Sequence, residues 1–231
     1  MKKLKSIVLV VLFMSTSLFV SCSNDSDNPN EETPEASSGD YWPTAVGNKW
    51  VLDQNGSAVN MNIIGSEKIN GDTYFKFDQL AGTSQQAAVT ATAWIKKVEG
   101  DYYIKLGDIV YNAEGITGKI TGYEFILFKD YLEVNKTWTG SYSQETSFNI
   151  PNFPTLKVVV NYTGTILERG ATATVKNVTY KDVIKFKLRL DAKTEGQTSS
   201  SEVEYWISKN VGVIKMKTGD SVSELVSYSL K

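Results

Sequence analysis

The 231-residue chain has no histidine and one cysteine, Cys22. Without imidazole there is no Ser-His-Asp triad, no histidine-bearing zinc site and no general base of the usual near-neutral kind. A single thiol makes no intrachain disulfide, so stability must come from the core. Gly-x-Ser-x-Gly, Ser-x-x-Lys and phosphate-loop patterns are missing from the chain after Cys22. Asp25-Ser26-Asp27 opens like a calcium loop, but Asn30 stands where the loop needs glycine and Ala36 where it needs glutamate. The expectation is a non-enzymatic protein with no metal and no cofactor.

Net charge is also lacking. Of 24 basic residues, Lys2, Lys3 and Lys5 precede Cys22; of 26 acidic ones, Asp25, Asp27, Glu31, Glu32 and Glu35 fall between Cys22 and Ser38. The rest carries 24 minus 3, or 21, basic residues against 26 minus 5, or 21, acidic ones. A formally neutral domain has no basic footprint for phosphates, which excludes nucleic acid as a partner.

What is present begins at the N-terminus. Lys2, Lys3 and Lys5 precede an apolar run, Ser6 to Val20, that is shorter than the ~20 residues a membrane-spanning helix needs. Residues 1–21 therefore read as a signal peptide. Leu18-Phe19-Val20-Ser21-Cys22 resembles the bacterial lipobox, with Phe19 where leucine is usual. That resemblance implies diacylglycerol on the Cys22 thiol, cleavage before it, and the membrane as a partner through the anchor. Ser23 to Gly39 is polar, acidic and free of large apolar side chains, so residues 22–39 are expected to form a disordered tether. Ser23 is not the aspartate of inner-membrane retention, and the acid-rich start resembles the export signal of Bacteroidetes lipoproteins. Together they imply an outer-membrane location, at the cell surface or facing the periplasm.

Residues 40–231 are expected to form a single antiparallel β domain. Apolar residues alternate with polar ones, and turn pairs punctuate the pattern. Trp50 to Gln54, Ser57 to Ile69 and Thr73 to Leu80 are separated by Asn55-Gly56 and Asn70-Gly71, pairs suited to two-residue hairpins. Further strands are expected over Ala87 to Val98, Tyr102 to Tyr111, Tyr123 to Phe128, Trp138 to Ile150, Leu156 to Leu167 and Ala171 to Val175. The remaining strands are expected over Val178 to Ala192, Ser201 to Ser208, Val211 to Lys217 and Ser221 to Leu230. Lys129 to Val134 could form a short helical turn. In Lys181 to Asp191 the side chains of Ile184, Phe186, Leu188 and Leu190 oppose those of Lys185, Lys187 and Arg189, which gives one packed face and one wet face. Such a sheet either curls on itself or stacks on a second sheet.

Three stretches carry a family resemblance: Tyr41-Trp42-Pro43-Thr44-Ala45-Val46-Gly47-Asn48-Lys49-Trp50, Leu132-Glu133-Val134-Asn135-Lys136-Thr137-Trp138, and Tyr205-Trp206-Ile207-Ser208-Lys209-Asn210-Val211-Gly212-Val213-Ile214-Lys215. They resemble the motifs of uncharacterised Bacteroidetes lipoproteins, with Asn135 where that group's Val-Gly-x-x-Trp segment has glycine. Members of the group are similar to lipoprotein-carrier (LolA-like) folds. The resemblance implies a strongly curved antiparallel half-barrel with an apolar inside, and a two-sheet sandwich is the alternative. It brings no catalytic residues.

Three residues stand out as candidates for facing a ligand. Trp206 alternates onto the face of Glu202 and Glu204, which is either exposed or the concave interior. The Glu202/Glu204 pair has the roughly 7 Å spacing that glycoside hydrolysis can use. A cross-strand ion-pair ladder with Lys185, Lys187, Lys215 and Lys217 accounts for the same residues. Asp220-Ser221-Val222 resembles a Bacteroidetes O-glycosylation acceptor, with Ser221 the modified residue. Function is accordingly expected to be binding of an apolar ligand or surface partner in the concavity. The alternatives are a carbohydrate-binding or carbohydrate-active surface protein, and a structural subunit of a surface assembly.

Overall fold

The computed structural model describes residues 37–80, 89–90, 92–113 and 115–231. Cys22 and the segments read as signal peptide and most of the tether lie outside them. Fifteen strands occur, with no helix among the described residues. In chain order they are β1 (Lys49–Gln54), β2 (Ser57–Ile69), β3 (Asp72–Phe77), β4 (Val89–Thr90), β5 (Ala93–Val98), β6 (Asp101–Leu106), β7 (Ile109–Ala113) and β8 (Ile116–Ile120). There follow β9 (Tyr123–Lys129), β10 (Thr137–Phe148), β11 (Leu156–Val175), β12 (Val178–Thr194), β13 (Gln197–Ser208), β14 (Gly212–Thr218) and β15 (Ser221–Ser229).

All of them belong to one antiparallel sheet of order β4-β7-β8-β10-β11-β12-β13-β14-β15-β1-β2-β3-β5-β6-β9, whose end strands share no backbone ladder. The sheet curls; it does not split into a sandwich. Local turn chemistry builds most of it. Asn55 and Gly56 have φ of 50° and 89°, and Asn70 and Gly71 have 53° and 95°, the left-handed geometry of a tight hairpin. Other neighbourhoods are not local: β1 pairs with β15, β8 with β10 past β9, β6 with β9 past β7 and β8, β4 with β7, and β3 with β5.

Several boundaries differ from the sequence reading. The stretch from Ala87 to Val98 gives a two-residue β4 and a separate β5 that occupy different places in the order, and positions 87, 88 and 91 lie outside the described residues. Tyr102 to Tyr111 divides at Gly107, whose N–H donates to the Thr92 carbonyl at 2.8 Å. Leu156 to Val175 is one strand with three register shifts. Lys129 to Val134 contains no helix; a turn at Asp130 and Tyr131 is held by Arg169, whose Nη1 donates to the carbonyls of Asp130 (2.6 Å) and Leu132 (2.7 Å).

Inside the curl, Ile184, Phe186 and Leu188 of β12 face Ile207, Tyr205 and Val203 of β13. One end, called lower here, lies at the β13–β14 turn and is filled. Residues 37–43 cork it. Tyr41 and Trp42 are buried, and Tyr41 N–H donates to the Tyr102 hydroxyl at 2.8 Å. Asp130, fully buried, accepts from Ser38 N–H at 2.8 Å and from the Ser37 hydroxyl at 2.6 Å. Lys97 and Lys209 donate to the carbonyls of Gly39 (2.5 Å) and Ser38 (3.0 Å). Ser37 to Gly39, the end of the segment read as tether, are therefore fastened to the sheet.

The sequence stretches that carry the family resemblance meet at this lower end. Asn210 N–H donates to Asp40 O at 2.6 Å, and Trp50 Nε1 to Val211 O at 2.6 Å. Asn135, in the glycine position, has φ of 68°, a conformation asparagine tolerates better than most side chains.

Candidate ligand site in the concave face

Two cross-strand pairs on β10 and β11 shape the interior. Trp138 faces Gly164, and Gly140 faces Tyr162. Each ring lies across the glycine opposite, so a Cβ at Gly164 would overlap the Trp138 indole and one at Gly140 would overlap the Tyr162 phenol. Laid flat in this way, the two rings reach β9. Trp138 Nε1 donates to Ile126 O at 3.1 Å, and Ile126 N–H donates to the Tyr162 hydroxyl at 3.3 Å. Side chains thus satisfy an edge strand's backbone where a neighbouring strand otherwise would.

A series of near-parallel rings crosses the interior from β6 and β9 to β12 and β13. Tyr102 stacks on Phe128 (centroids 4.2 Å, 13°), Phe128 on Phe186 (5.2 Å, 15°), and Phe186 on Tyr205 (5.1 Å, 11°). The first three rings are fully buried, whereas Tyr205 is half-buried. Above that level Tyr123, Phe125, Tyr142, Leu190 and Val203 are half-buried too, although each packs against the core. The inward face is therefore only partly covered at these residues, although Val160 and Tyr162 beside them are buried, and the lower end is a solid core.

The rings of Tyr123 and Tyr142 lie parallel across the β9–β10 seam at 4.2 Å and 4°. Burial raises the ionisation of Tyr123, Tyr142 and Tyr205 above the ordinary tyrosine value; the neighbouring Tyr142 hydroxyl opposes the rise at Tyr123, and a nearby Tyr123 adds to it at Tyr142 and Tyr205. These hydroxyls thus sit in poorly solvated surroundings. No charged residue occupies an inward position in the upper half of β9 to β14. The arrangement suits an uncharged, apolar guest, since a buried charge without a partner is costly.

Trp206, Glu202 and Glu204 come together on the opposite, outward face, because β13 alternates and Tyr205 and Val203 take the inside. Lys185 Nζ lies 4.4 Å from the centroid of the Trp206 ring and Lys215 Nζ 5.0 Å. Trp206 Nε1 donates to Glu204 Oε1 at 2.6 Å, which ties up that carboxylate. Lys187 pairs with Glu202 at 3.3 Å, Lys185 with Glu168 at 2.9 Å and Lys215 with Glu224 at 2.8 Å. Of the foreseen ladder only the Lys187–Glu202 rung forms; Lys185 and Lys215 pair instead with Glu168 of β11 and Glu224 of β15. Ser221 is half-buried, its hydroxyl within reach of Gln54 Nε2 (3.4 Å) and Asn55 Nδ2 (3.3 Å).

Sequence reasoning picked Trp206 and passed over Tyr205, the ring of β13 that faces the concavity. The signal was available: Tyr205 shares the parity of Val203 and Ile207. No group of three metal-ligating side chains occurs among the described residues, and no helix there is long and apolar enough to cross a membrane.

No family model and no curated protein matches the chain. Among solved structures, a candidate lipoprotein from Parabacteroides distasonis is similar at a TM-score of 0.48 and 12% identity, over 84% of this chain and 100% of that one.

Proposed function

We propose that the chain is a lipid-anchored, non-enzymatic binding protein that holds an apolar ligand in the upper half of its curled sheet. The observation that carries this reading is the change in burial along one aromatic series, complete at Tyr102, Phe128 and Phe186 and partial at Tyr205. A sheet that needed only a core would fill both halves alike. The uncharged lining and the absence of histidine and of recognisable nucleophile motifs support binding over catalysis.

The anchor rests on Lys2 to Cys22. A lipid on Cys22 would place the domain at the outer membrane, and the acid-rich start of the tether favours its outer face. The curl with an apolar inside is in keeping with a LolA-like carrier. The lower end, where Ser37 is fastened, would face the tether, leaving the upper concavity at the far end of β12 and β13.

The test uses N-phenyl-1-naphthylamine, an uncharged dye that brightens in apolar surroundings, with residues 37–231. Fluorescence should rise on mixing and fall back when Val203→Trp fills the concavity. No rise with the unaltered domain would contradict the reading.

A further inference from the structure

The chain holds two Asn-Gly pairs, Asn55-Gly56 and Asn70-Gly71, each exposed at the tip of a two-residue hairpin. Glycine has no side chain to shield its backbone nitrogen, which can attack the amide carbon of the asparagine before it; this makes the pair thermolabile. The two turns share one backbone geometry, with φ of 50° and 89° at the first and 53° and 95° at the second. Dipeptide and conformation alone therefore do not tell them apart.

Their contacts do. Asn55 Oδ1 accepts from Val222 N–H at 3.1 Å, its Nδ2 donates to the Ser221 hydroxyl at 3.3 Å, and Gly56 N–H donates to Asp53 Oδ1 at 2.7 Å. The attacking nitrogen and the amide it would attack are thus both held, one by β1 and the other by β15. Among the described residues, the Asn70 amide has no hydrogen-bond partner and no side chain accepts from Gly71 N–H. Ring closure requires the asparagine to leave the tight-turn conformation, so its rate follows how often each turn opens. Three hydrogen bonds resist that opening at Asn55, and none of their kind does at Asn70.

We propose that Asn70 is a site of spontaneous deamidation, and that Asn55, in the same dipeptide, is protected by its contacts with Asp53, Ser221 and Val222. Gly71 N bonds to Asn70 Cγ, the Cγ–Nδ2 bond breaks, and Nδ2 leaves as ammonia with the proton that Gly71 N gives up. Water then opens the succinimide at either carbonyl, giving aspartate or isoaspartate. Isoaspartate adds a methylene to the backbone of a two-residue turn whose next residue, Asp72, pairs with the buried Lys96 at 2.9 Å. Conversion thus acts on the β2–β3 hairpin and on the ion pair that ties β3 to β5.

The test incubates the full lipidated chain in mildly alkaline buffer, folded in detergent micelles and unfolded in denaturant. Trypsin cuts after Lys68 and so places Asn55 and Asn70 in separate peptides, whose conversion is followed by mass spectrometry. In the folded chain Asn70 should convert at least about tenfold faster than Asn55, since each hydrogen bond is worth roughly two- to tenfold in an opening equilibrium. In denaturant the two rates should converge. Asp53→Ala combined with Ser221→Ala should raise the Asn55 rate toward that of Asn70. Asn55 keeping pace with Asn70 in the folded chain overturns the proposal, as does an Asn70 that stays intact while both convert in denaturant. A ratio that is the same in denaturant as in the folded chain, or an Asn55 rate unmoved by the double substitution, overturns the protective role of the contacts.

Discussion

The indole of Trp138 covers Gly164, its partner on the next strand, and reaches past it to the Ile126 carbonyl of β9. One short backbone position on β11 therefore decides whether β9 is held against β10. Gly164→Ala would push the ring off that position. Overpacking of this kind costs about 1–3 kcal/mol, to be read from the denaturant midpoint. Faster amide exchange at Ile126 should accompany it, since its N–H partner Tyr162 lies over the neighbouring Gly140. An unchanged midpoint would mean that the indole has another resting place.

The two faces of β13 should separate cleanly under mutation. Trp206→Ala removes a ring flanked by Lys185 and Lys215, at a cost of about 0.5–1 kcal/mol for each exposed cation–π contact, and should leave dye binding intact. Glu204→Gln should change no binding or glycan-directed property. Tyr205→Ala should abolish the dye signal while the domain remains folded by circular dichroism. Loss of binding in Trp206→Ala with retention in Tyr205→Ala would move the site to the outer face.

Stability should be flat through neutral pH and fail on the alkaline side. The chain has no histidine to titrate, and burial raises the ionisation of Tyr41, Tyr74, Tyr102, Tyr103, Tyr123, Tyr131, Tyr142, Tyr162, Tyr180 and Tyr205 above 10.0. A raised value means that the folded state prefers the neutral phenol. The contribution is complete below the unfolded value of 10.0 and is lost as pH climbs beyond it. Absorbance at 295 nm should show most tyrosinate appearing in one cooperative step together with unfolding. Gradual independent ionisation from pH 10 upward would show the rings to be solvated.

Cys22→Ala should leave the sheet folded and shift the protein from the membrane fraction to the soluble one. Persistent membrane association would remove the anchor from the account.

Much of the strand pattern was legible because its causes are local. Asn-Gly pairs set the first hairpins, and alternation along Lys181 to Asp191 set the facing of β12. The pairing of β1 with β15 and of β8 with β10 was not legible, since no short-range signal joins residues so far apart. The bend that divides Tyr102 to Tyr111 depends on Gly107 meeting Thr92, again a tertiary contact. On β13 the residues singled out from sequence, Trp206, Glu202 and Glu204, lie on the face opposite Tyr205. A tryptophan between glutamates draws attention, whereas Tyr205 becomes notable only when Phe186 and Phe128 are seen stacked beneath it.

Native mass spectrometry of residues 37–231, purified without denaturation from cells, shows whether the curled sheet holds a ligand. A fraction of the protein should carry an extra, non-covalent mass that organic extraction releases, and Val203→Trp should be free of it. A domain that is empty in every preparation, and that takes up no apolar molecule when offered one, would contradict the binding role.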